Sequence, residues 1–371
     1  MIKILTVIGA RPQIIKAAAI SRTVRESFAD RIEEHLLHTG QHYDTNMSQV
    51  FFDELGIPAP EYNLGVGSGR HGEQTAKMTD GIERVLISER YDGIILYGDT
   101  NSTLAGAVAA AKMHVPVFHV EAGLRSFNMT MPEEQNRIVC DHLSSILFAP
   151  TQTAVNNLVA EGLCSSKAVF RGGKGRLVVN SGDVMYDNAL YFSGLAEKKS
   201  TVLHDCNLSP GGYILATVHR DFNTDNPERI GSIFKALSEI AEGNDIPVIL
   251  PLHPRTRKYL PTGLSGRISI IPPASFLDIL TLEKNAKVVM TDSGGVQKEA
   301  FFFGIPCVIL RPETEWIEIL EHKAGILADA DHDRIIDAYE SLSGGDVDFP
   351  PLFGEGNASH IILQHIIDYV N

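Results

Sequence analysis

Residues 97–141 read YGDTNSTLAGAVAAAKMHVPVFHVEAGLRSFNMTMPEEQNRIVCD, and this stretch indicates the fold. An apolar run at 93–97 ends in Gly98-Asp99-Thr100, a run of small residues typical of a helix follows, and a second apolar run at 115–120 ends in Glu121. Two buried strands joined by a helix are the unit of a parallel α/β sheet. The stretch therefore predicts such a sheet, with a carboxylate at each of two strand ends.

Ligands of open parallel sheets bind outside the carboxyl ends of the strands, so Asp99 and Glu121 are candidate site residues. Glu133 follows Pro132 at a predicted helix start and adds a third carboxylate, with Arg137 four residues further on. A carboxylate at the end of an apolar strand is costly unless it is paired or used. Two structural alternatives stay open: Asp99 caps the next helix, or Glu121 pairs with Arg125.

The same alternation of strand and helix runs through the rest of the chain. Residues 2–8 predict a buried first strand, and a helix is predicted at 13–24. From residue 213 the pattern starts again, without exact sequence repeats. Two α/β halves of similar size predict two Rossmann-like domains facing one another.

The turn after the first strand carries Arg11, and Lys16 lies in the first turns of the helix that follows. A strand, a tight turn and a helix start form a place where anions bind in doubly wound folds. The turn has no GxGxxG pattern, so a dinucleotide cofactor is not indicated. The alternative is that both cations are solvated surface charges.

In the second half, predicted strands end at His219-Arg220 and at His253, and the strand at 287–291 ends in Asp292-Ser293-Gly294-Gly295. A Ser-Gly-Gly turn before a helix offers free N–H groups to a phosphate, and its glycines permit close approach. Glu299 lies on the same predicted helix, where it could reach a ribose hydroxyl. The alternative is an ordinary turn with a helix cap.

The composition excludes several classes of protein. With 32 Lys+Arg against 46 Asp+Glu, the formal net charge of -14 argues against non-specific binding to nucleic acid or a membrane surface. The four cysteines form no CxxC pair, so neither a disulfide framework nor a zinc site is expected. No apolar run is long enough for a signal peptide or a membrane span, and we expect a cytoplasmic protein.

Six words in this order, GDTNST, HVEAGLRS, MPEEQNR, TVHR, PLHPRT and TDSGGVQKEA, give the chain a specific resemblance. Over nearly its whole length it resembles the non-hydrolysing UDP-N-acetylglucosamine 2-epimerases. The resemblance implies a GT-B arrangement, with residues 1–180 plus 357–371 as one Rossmann-like domain, 181–356 as the UDP-binding domain, and the active site in the cleft between them. It also implies a homodimer that needs no cofactor and no metal, and that makes precursors of surface polysaccharides.

The reaction implied by the resemblance inverts C2 of a UDP-sugar by eliminating UDP to a glycal and adding it back. Asp99, Glu121 and Glu133 match the family's catalytic carboxylates, and His219 matches its essential histidine. The family's other site positions fall on two groups of residues: the active-site cations Arg11, Lys16 and Arg137, and the UDP-binding residues Arg220, His253, Phe276, Ser293, Gly294, Gly295, Glu299 and Arg311.

The chain departs from the family after Arg311, where Trp316-Ile317 replaces the usual Arg-Pro. Thr-Glu-Trp and the opening Gly-Ala-Arg-Pro-Gln also occur in relatives that epimerise UDP-2,3-diacetamido-2,3-dideoxyglucuronic acid. Both that sugar and UDP-N-acetylglucosamine remain open as substrates, as do the assignment of acid and base and the role of residues 170–181. The rival functions are a GT-B glycosyltransferase, a hydrolysing 2-epimerase and a non-catalytic sugar-nucleotide-binding regulator.

Overall fold

The structure is a computed structural model that describes residues 1–40, 56–164, 168–252 and 260–371. It divides into two compact domains, Met1–Asn188 with Pro351–Asn371, and Ala189–Pro350. The sequence prediction placed these boundaries at residues 180 and 357. The first domain extends to residue 188 because Asn188 donates to the carbonyl of Ile15 at 2.5 Å, and Asp187 accepts the N–H groups of Ala358 and Ser359 at 3.0 and 2.8 Å.

The first domain contains a seven-stranded sheet in the order β3-β2-β1-β4-β5-β6-β7, and every neighbouring pair is parallel. This order places β1 beside β4, which is where the direction of strand addition reverses. The strands are β1 Ile2–Ile8, β2 Ile32–His38, β3 Tyr62–Asn63, β4 Gly93–Tyr97, β5 Val117–Val120, β6 Ile146–Ala149 and β7 Leu177–Asn180.

The second domain repeats the same topology with six strands, in the order β10-β9-β8-β11-β12-β13, and its neighbouring pairs are also parallel. Here β8 and β11 are the strands at which the direction reverses. The strands are β8 Ile214–Thr217, β9 Val248–Pro251, β10 Ile268–Ile271, β11 Val288–Thr291, β12 Cys307–Ile309 and β13 Gly325–Leu327. The predicted α/β class with two Rossmann-like domains is confirmed.

The helices pack against these sheets through buried apolar side chains, which supply the main stabilising term. None of the helices in the described ranges is long and apolar enough to cross a membrane. The helices are α1 Arg11–Thr23 with a π-helical continuation at Val24–Phe28, α2 His71–Ser88, α3 Asn101–Lys112, α4 Pro132–Leu143, α5 Gln152–Ala160, α6 Val184–Lys199, α7 Val202–Asp205, α8 Asp221–Thr224, α9 Pro227–Gly243, α10 Phe276–Lys284, α11 Gly294–Phe302, α12 Ile317–Glu321, α13 His332–Ser343 and α14 Ala358–Val370.

The basic segment around Lys174 and Arg176, whose role was open in the sequence, closes two helix ends of the first domain. The Lys174 ammonium donates to the carbonyl of Tyr369 in the last turn of α14. Arg176 donates to the carbonyls of His142 and Ser144 at the end of α4, at 2.6 and 3.0 Å. Cations at helix C-termini satisfy carbonyls that have no partner in the helix. The strand β7 that follows was missed because it is short and lies at an edge.

Candidate active site

In the first domain, the Lys16 side chain from α1 reaches the residue that follows β5. Its ammonium forms an ion pair with Glu121, and both side chains are largely buried, with 13% and 9% of their surface exposed. Glu121 has φ +71°, a left-handed conformation that is rare for residues other than glycine. Such strain persists only where the surroundings hold it, and it is concentrated at functional sites. Arg125 takes no part in this ion pair, because it binds Asp141 and Glu161.

The turn after β4 is built around Gly98, which has φ +60°. A Cβ atom at this position would lie 3.2 Å from both Glu121 Oε2 and Lys16 Nζ. Glycine therefore serves two purposes here, because it permits the left-handed turn and makes room for the ion pair. The ends of β4 and β5 meet at one edge of the sheet, as the sequence predicts.

Asp99 follows this turn and binds the Arg137 guanidinium of α4 at 2.8 Å. A third of the Asp99 side chain remains exposed, whereas Arg137 is buried. Desolvation raises the pKa of Asp99, although the charges of Arg137 and Lys16 oppose the shift; Glu121 and Glu133 add to it. Asp99 does not cap α3, because the Thr100 hydroxyl is the N-cap and accepts the N–H of Thr103. The Asp99 carboxylate therefore binds Arg137 instead of the start of α3.

Two consecutive glutamates begin α4 and have different environments. Glu133 is exposed, and its charge reaches Asp99. Glu134 is buried and accepts the N–H groups of Ser126 and Phe127 at 3.0 and 2.9 Å. Desolvation opposes ionisation of Glu134, but these hydrogen bonds and the charge of Arg137 prevail, so its pKa is lowered. Glu134 was not predicted from the sequence, although a glutamate in the third helical position commonly reaches back to preceding N–H groups.

The buried imidazole of His119 holds the Gly98 turn, and this role was also not predicted from the sequence. His119 on β5 has one ring nitrogen 2.7 Å from Asp141 Oδ1 and the other 2.8 Å from the Gly98 carbonyl oxygen. Both neighbours are acceptors, so only the doubly protonated ring satisfies both contacts. Burial opposes that charge, yet Cys140 and Asp141 raise the pKa of His119 well above its ordinary value. The polar residue at a fully buried strand position was the signal for this role.

Two side-chain amides hold the same edge together. Gln13 donates to the Tyr97 carbonyl at 2.9 Å and accepts the N–H groups of Gly9 and Ala10, so it ties the end of β4 to the turn after β1. Asn136 on α4 donates to the Asp99 carbonyl at 2.9 Å. Four predicted residues meet at this edge: Lys16, Asp99, Glu121 and Arg137. The charge of Glu133 acts on Asp99, whereas Arg11 is exposed at the start of α1.

The corresponding edge of the second domain is organised by Asp292, which follows β11 and is fully buried. Its carboxylate accepts the backbone N–H groups of His219 at 3.1 Å and Arg220 at 3.0 Å, and the side-chain amide of Asn223 at 3.1 Å. Asp292 Oδ1 is also 3.3 Å from His219 Nδ1. His219 keeps 54% of its side chain exposed, so Asp292 orients a ring whose other nitrogen is available to a ligand.

The Ser-Gly-Gly turn lies directly beside this residue. Ser293 is the N-cap of α11, and its hydroxyl accepts the N–H of Val296 at 3.5 Å. Gly294 and Gly295 are the first two residues of the helix, whose leading N–H groups have no carbonyl partner in the preceding turn. The positive end of the helix dipole and these donors make the turn a candidate anion site.

The remaining predicted UDP-binding residues have varied surroundings. Arg311 is buried and forms a double hydrogen bond with Glu315, at 3.0 and 3.1 Å. Phe276 is buried, with its ring 5.2 Å from that of Phe192, so its side chain belongs to the core of the second domain. Glu299 lies on α11, one turn beyond the Ser-Gly-Gly turn. His253 lies outside the described residues.

Comparisons of the sequence with known proteins agree with the motifs. A family model described as UDP-N-acetylglucosamine 2-epimerase matches residues 26–367. The UDP-2,3-diacetamido-2,3-dideoxy-D-glucuronate 2-epimerase of Pseudomonas aeruginosa is 47% identical over 366 residues, which are 98% of this chain and 99% of that protein. The UDP-N-acetylglucosamine 2-epimerase of Methanocaldococcus jannaschii is 41% identical over 371 residues, covering 98% of both proteins.

Solved structures match over the full length as well. The M. jannaschii enzyme in complex with UDP-GlcNAc and UDP has a TM-score of 0.84 and 41% identity, covering 99% of this chain and 100% of that one. The Neisseria meningitidis UDP-GlcNAc 2-epimerase bound to UDP-GlcNAc also has a TM-score of 0.84, at 28% identity, with 99% and 100% covered. These matches confirm the predicted GT-B class, and the named relatives confirm that the family consists of isomerases. The chain belongs to the UDP-N-acetylglucosamine 2-epimerase family.

Proposed function

We propose that this protein is a non-hydrolysing 2-epimerase, which removes UDP from a UDP-N-acetylated hexose and adds it back after the configuration at C2 has changed. The observation that carries this proposal is the set of acidic and basic side chains at one sheet edge of the first domain. There Asp99 is paired with Arg137 and Glu121 with Lys16, around a glycine turn.

The chemistry requires such a set because the C2–H bond of the sugar is not next to a carbonyl group, and the carbanion would have no stabilisation. In elimination, a carboxylate takes the C2 proton, the C–H electron pair forms the C1=C2 double bond, and the C1–O bond breaks toward UDP. In the return step a UDP oxygen attacks C1, and an acid delivers a proton to the other face of C2. Two proton carriers are therefore needed, one on each face.

The three carboxylates, Asp99, Glu121 and Glu133, are the proposed proton carriers. The raised pKa of Asp99, caused mainly by desolvation, suits a group that must both hold and release a proton. Proton transfer by a positioned group contributes about 10²–10⁴-fold in rate. Lys16 keeps Glu121 in place and Arg137 keeps Asp99 in place, and both cations supply positive charge as UDP departs.

We assign the UDP moiety to the second domain. The diphosphate would bind the N–H groups at Ser293–Gly295, flanked by His219 and Arg220, whose backbones are held by Asp292. The ribose would bind Glu299, which lies one turn further along α11. Arg311 would add positive charge beside the diphosphate. Its Nη1 atom lies 3.5 Å from the point that a Cβ atom on Gly294 would occupy.

For the sugar we propose UDP-2,3-diacetamido-2,3-dideoxy-D-glucuronate, on which the P. aeruginosa relative is named to act. UDP-N-acetylglucosamine is the second candidate, since it names the activity of the M. jannaschii relative. We further expect a cytoplasmic homodimer that supplies surface polysaccharide precursors, as the family resemblance implies. Light scattering after size exclusion measures the oligomeric state directly.

The test is to offer each UDP-sugar separately in D₂O and to follow the anomeric and C2 signals by NMR. The proposal expects a new epimeric UDP-sugar with deuterium at C2, formed without an acceptor. Free sugar and UDP in equal amounts would instead indicate a hydrolysing enzyme, and dependence on an added acceptor would indicate a glycosyltransferase. Replacement of Asp99, Glu121 and Glu133 by the corresponding amides, one at a time, with full retention of turnover would refute the mechanism.

A further inference from the structure

Trp316 lies against the candidate diphosphate turn. It is the single tryptophan of the sequence, and 5% of its surface is exposed. Its indole N–H donates to the Gly294 carbonyl oxygen at 3.1 Å. The backbone N–H of Trp316 donates to the Thr314 hydroxyl at 3.2 Å, and that hydroxyl donates to Gln297 of α11 at 2.6 Å. The loop is therefore tied to the first two turns of the helix.

The face of the Trp316 ring covers a buried cation. The Lys298 ammonium lies 4.1 Å from the ring centroid, and Lys298 is only 3% exposed. Lys298 belongs to the second turn of α11, and burial of its charge is costly. The aromatic face of Trp316 offsets part of that cost.

We propose that Trp316 is a positioning residue for the diphosphate of the UDP-sugar. By fixing the Gly294 carbonyl, it sets the orientation of the peptide between Gly294 and Gly295, whose N–H group belongs to the turn. This inference depends on the proposed function, since it requires UDP to bind at Ser293–Gly295. It adds a residue whose side chain acts through the turn rather than on the ligand.

Tryptophan suits both contacts at this position. It supplies an N–H donor for the Gly294 carbonyl oxygen and a negative ring face for the Lys298 ammonium.

The test compares the affinity for UDP, measured by calorimetry, of Trp316→Phe and Trp316→Leu with that of the wild type. The phenylalanine variant keeps a ring face and loses the N–H, so UDP should bind about fivefold more weakly. The leucine variant loses both contacts, and about a twentyfold loss is expected. In turnover, KM should rise with little change in kcat, because the interaction is made equally in the ground and transition states.

The matched control is Tyr339→Leu, which removes another fully buried aromatic ring of the second domain, on α13. It should lower the melting temperature without changing the affinity for UDP. Folded Trp316 variants with wild-type affinity, or an equal loss in the control, would overturn the positioning role. Failure of the wild-type protein to bind UDP would instead contradict the proposed function, so the two failures are distinguishable.

Discussion

Arg137→Met is the most informative single change in the first domain. The buried guanidinium is 2.8 Å from Asp99 and 3.0 Å from Glu134, and methionine fills a similar space without charge. The change therefore removes one partner from two ion pairs at once. One of these pairs is assigned to the chemistry, whereas the other anchors the segment that precedes α4.

The cost in stability follows from the environments of the two carboxylates. Removing one partner of a buried pair typically costs about 3–5 kcal/mol. Asp99 is a third exposed, so water recovers part of the loss, and Glu134 keeps its hydrogen bonds from Ser126 and Phe127. We therefore expect the low end, about 3 kcal/mol. A domain with the usual stability of about 5–15 kcal/mol remains folded.

The catalytic consequence is a change in rate and in its pH dependence. Loss of a charge that stabilises the departing group should lower kcat by about 10²–10³-fold. Arg137 opposes the desolvation that raises the pKa of Asp99, so its removal should raise that pKa further. Whether Asp99 acts as base or as acid, the limb of the pH–rate profile that reports it should move to higher pH.

The assay is kcat/KM as a function of pH, from deuterium incorporation at C2 measured by NMR. Arg125→Met is the control, because Arg125 is equally buried and its ion-pair partners are Asp141 and Glu161 rather than Asp99. The control should lose stability and keep both limbs of the profile in place. If Arg137→Met is folded and neither limb moves, the coupling of Arg137 to the reacting carboxylate is refuted.

Three further predictions concern single residues of the first domain. Glu134→Gln should lower the free energy of unfolding by about 1–3 kcal/mol in urea titrations. Glu133→Gln should leave stability unchanged and reduce turnover. The reverse pattern would contradict a structural role for Glu134 and a catalytic role for Glu133. Because the pKa of Glu134 is lowered in the folded chain, its contribution is present above its ordinary value of 4.5, and the difference from Glu134→Gln should vanish as pH falls through the folded value. His119→Phe should lower the free energy of unfolding by about 3 kcal/mol at neutral pH. Because the pKa of His119 is raised in the folded chain, the stabilisation by its charged ring is complete below pH 6.5 and is lost only as pH rises through the folded-state pKa. An unchanged melting temperature at pH 6 would exclude the charged ring. Lys174→Met should cost about 0.3–1 kcal/mol, with faster amide exchange in the last turn of α14.

Strands could be predicted from the sequence where both faces of the sheet are covered. The runs at 2–8 and 93–97 coincide with strands of the structure, because a strand that is buried on both faces has a largely apolar sequence. Strands β3, β7 and β13 were missed, since two to four residues at or near a sheet edge leave little periodicity. Boundaries elsewhere differ by a few residues at helix ends, where caps rather than apolar patterns decide.

At the candidate site, the sequence pattern does not distinguish two aspartates that have different surroundings in the structure. Asp99 and Asp292 follow equivalent strands, β4 and β11, of the two sheets, and each lies in the short connection between its strand and the next helix. Asp292 is fully buried, and its carboxylate accepts the backbone N–H groups of His219 and Arg220 after β8. Asp99 has a third of its side chain exposed and is ion-paired with Arg137. The difference arises because the Thr100 hydroxyl caps α3 and Asn136 binds the Asp99 carbonyl, so that among the described residues no peptide N–H is bound to the Asp99 carboxylate. Strand-end position therefore identifies both aspartates, but only the placement of neighbouring donors separates Asp292, which orders the backbone, from Asp99, which we propose to react.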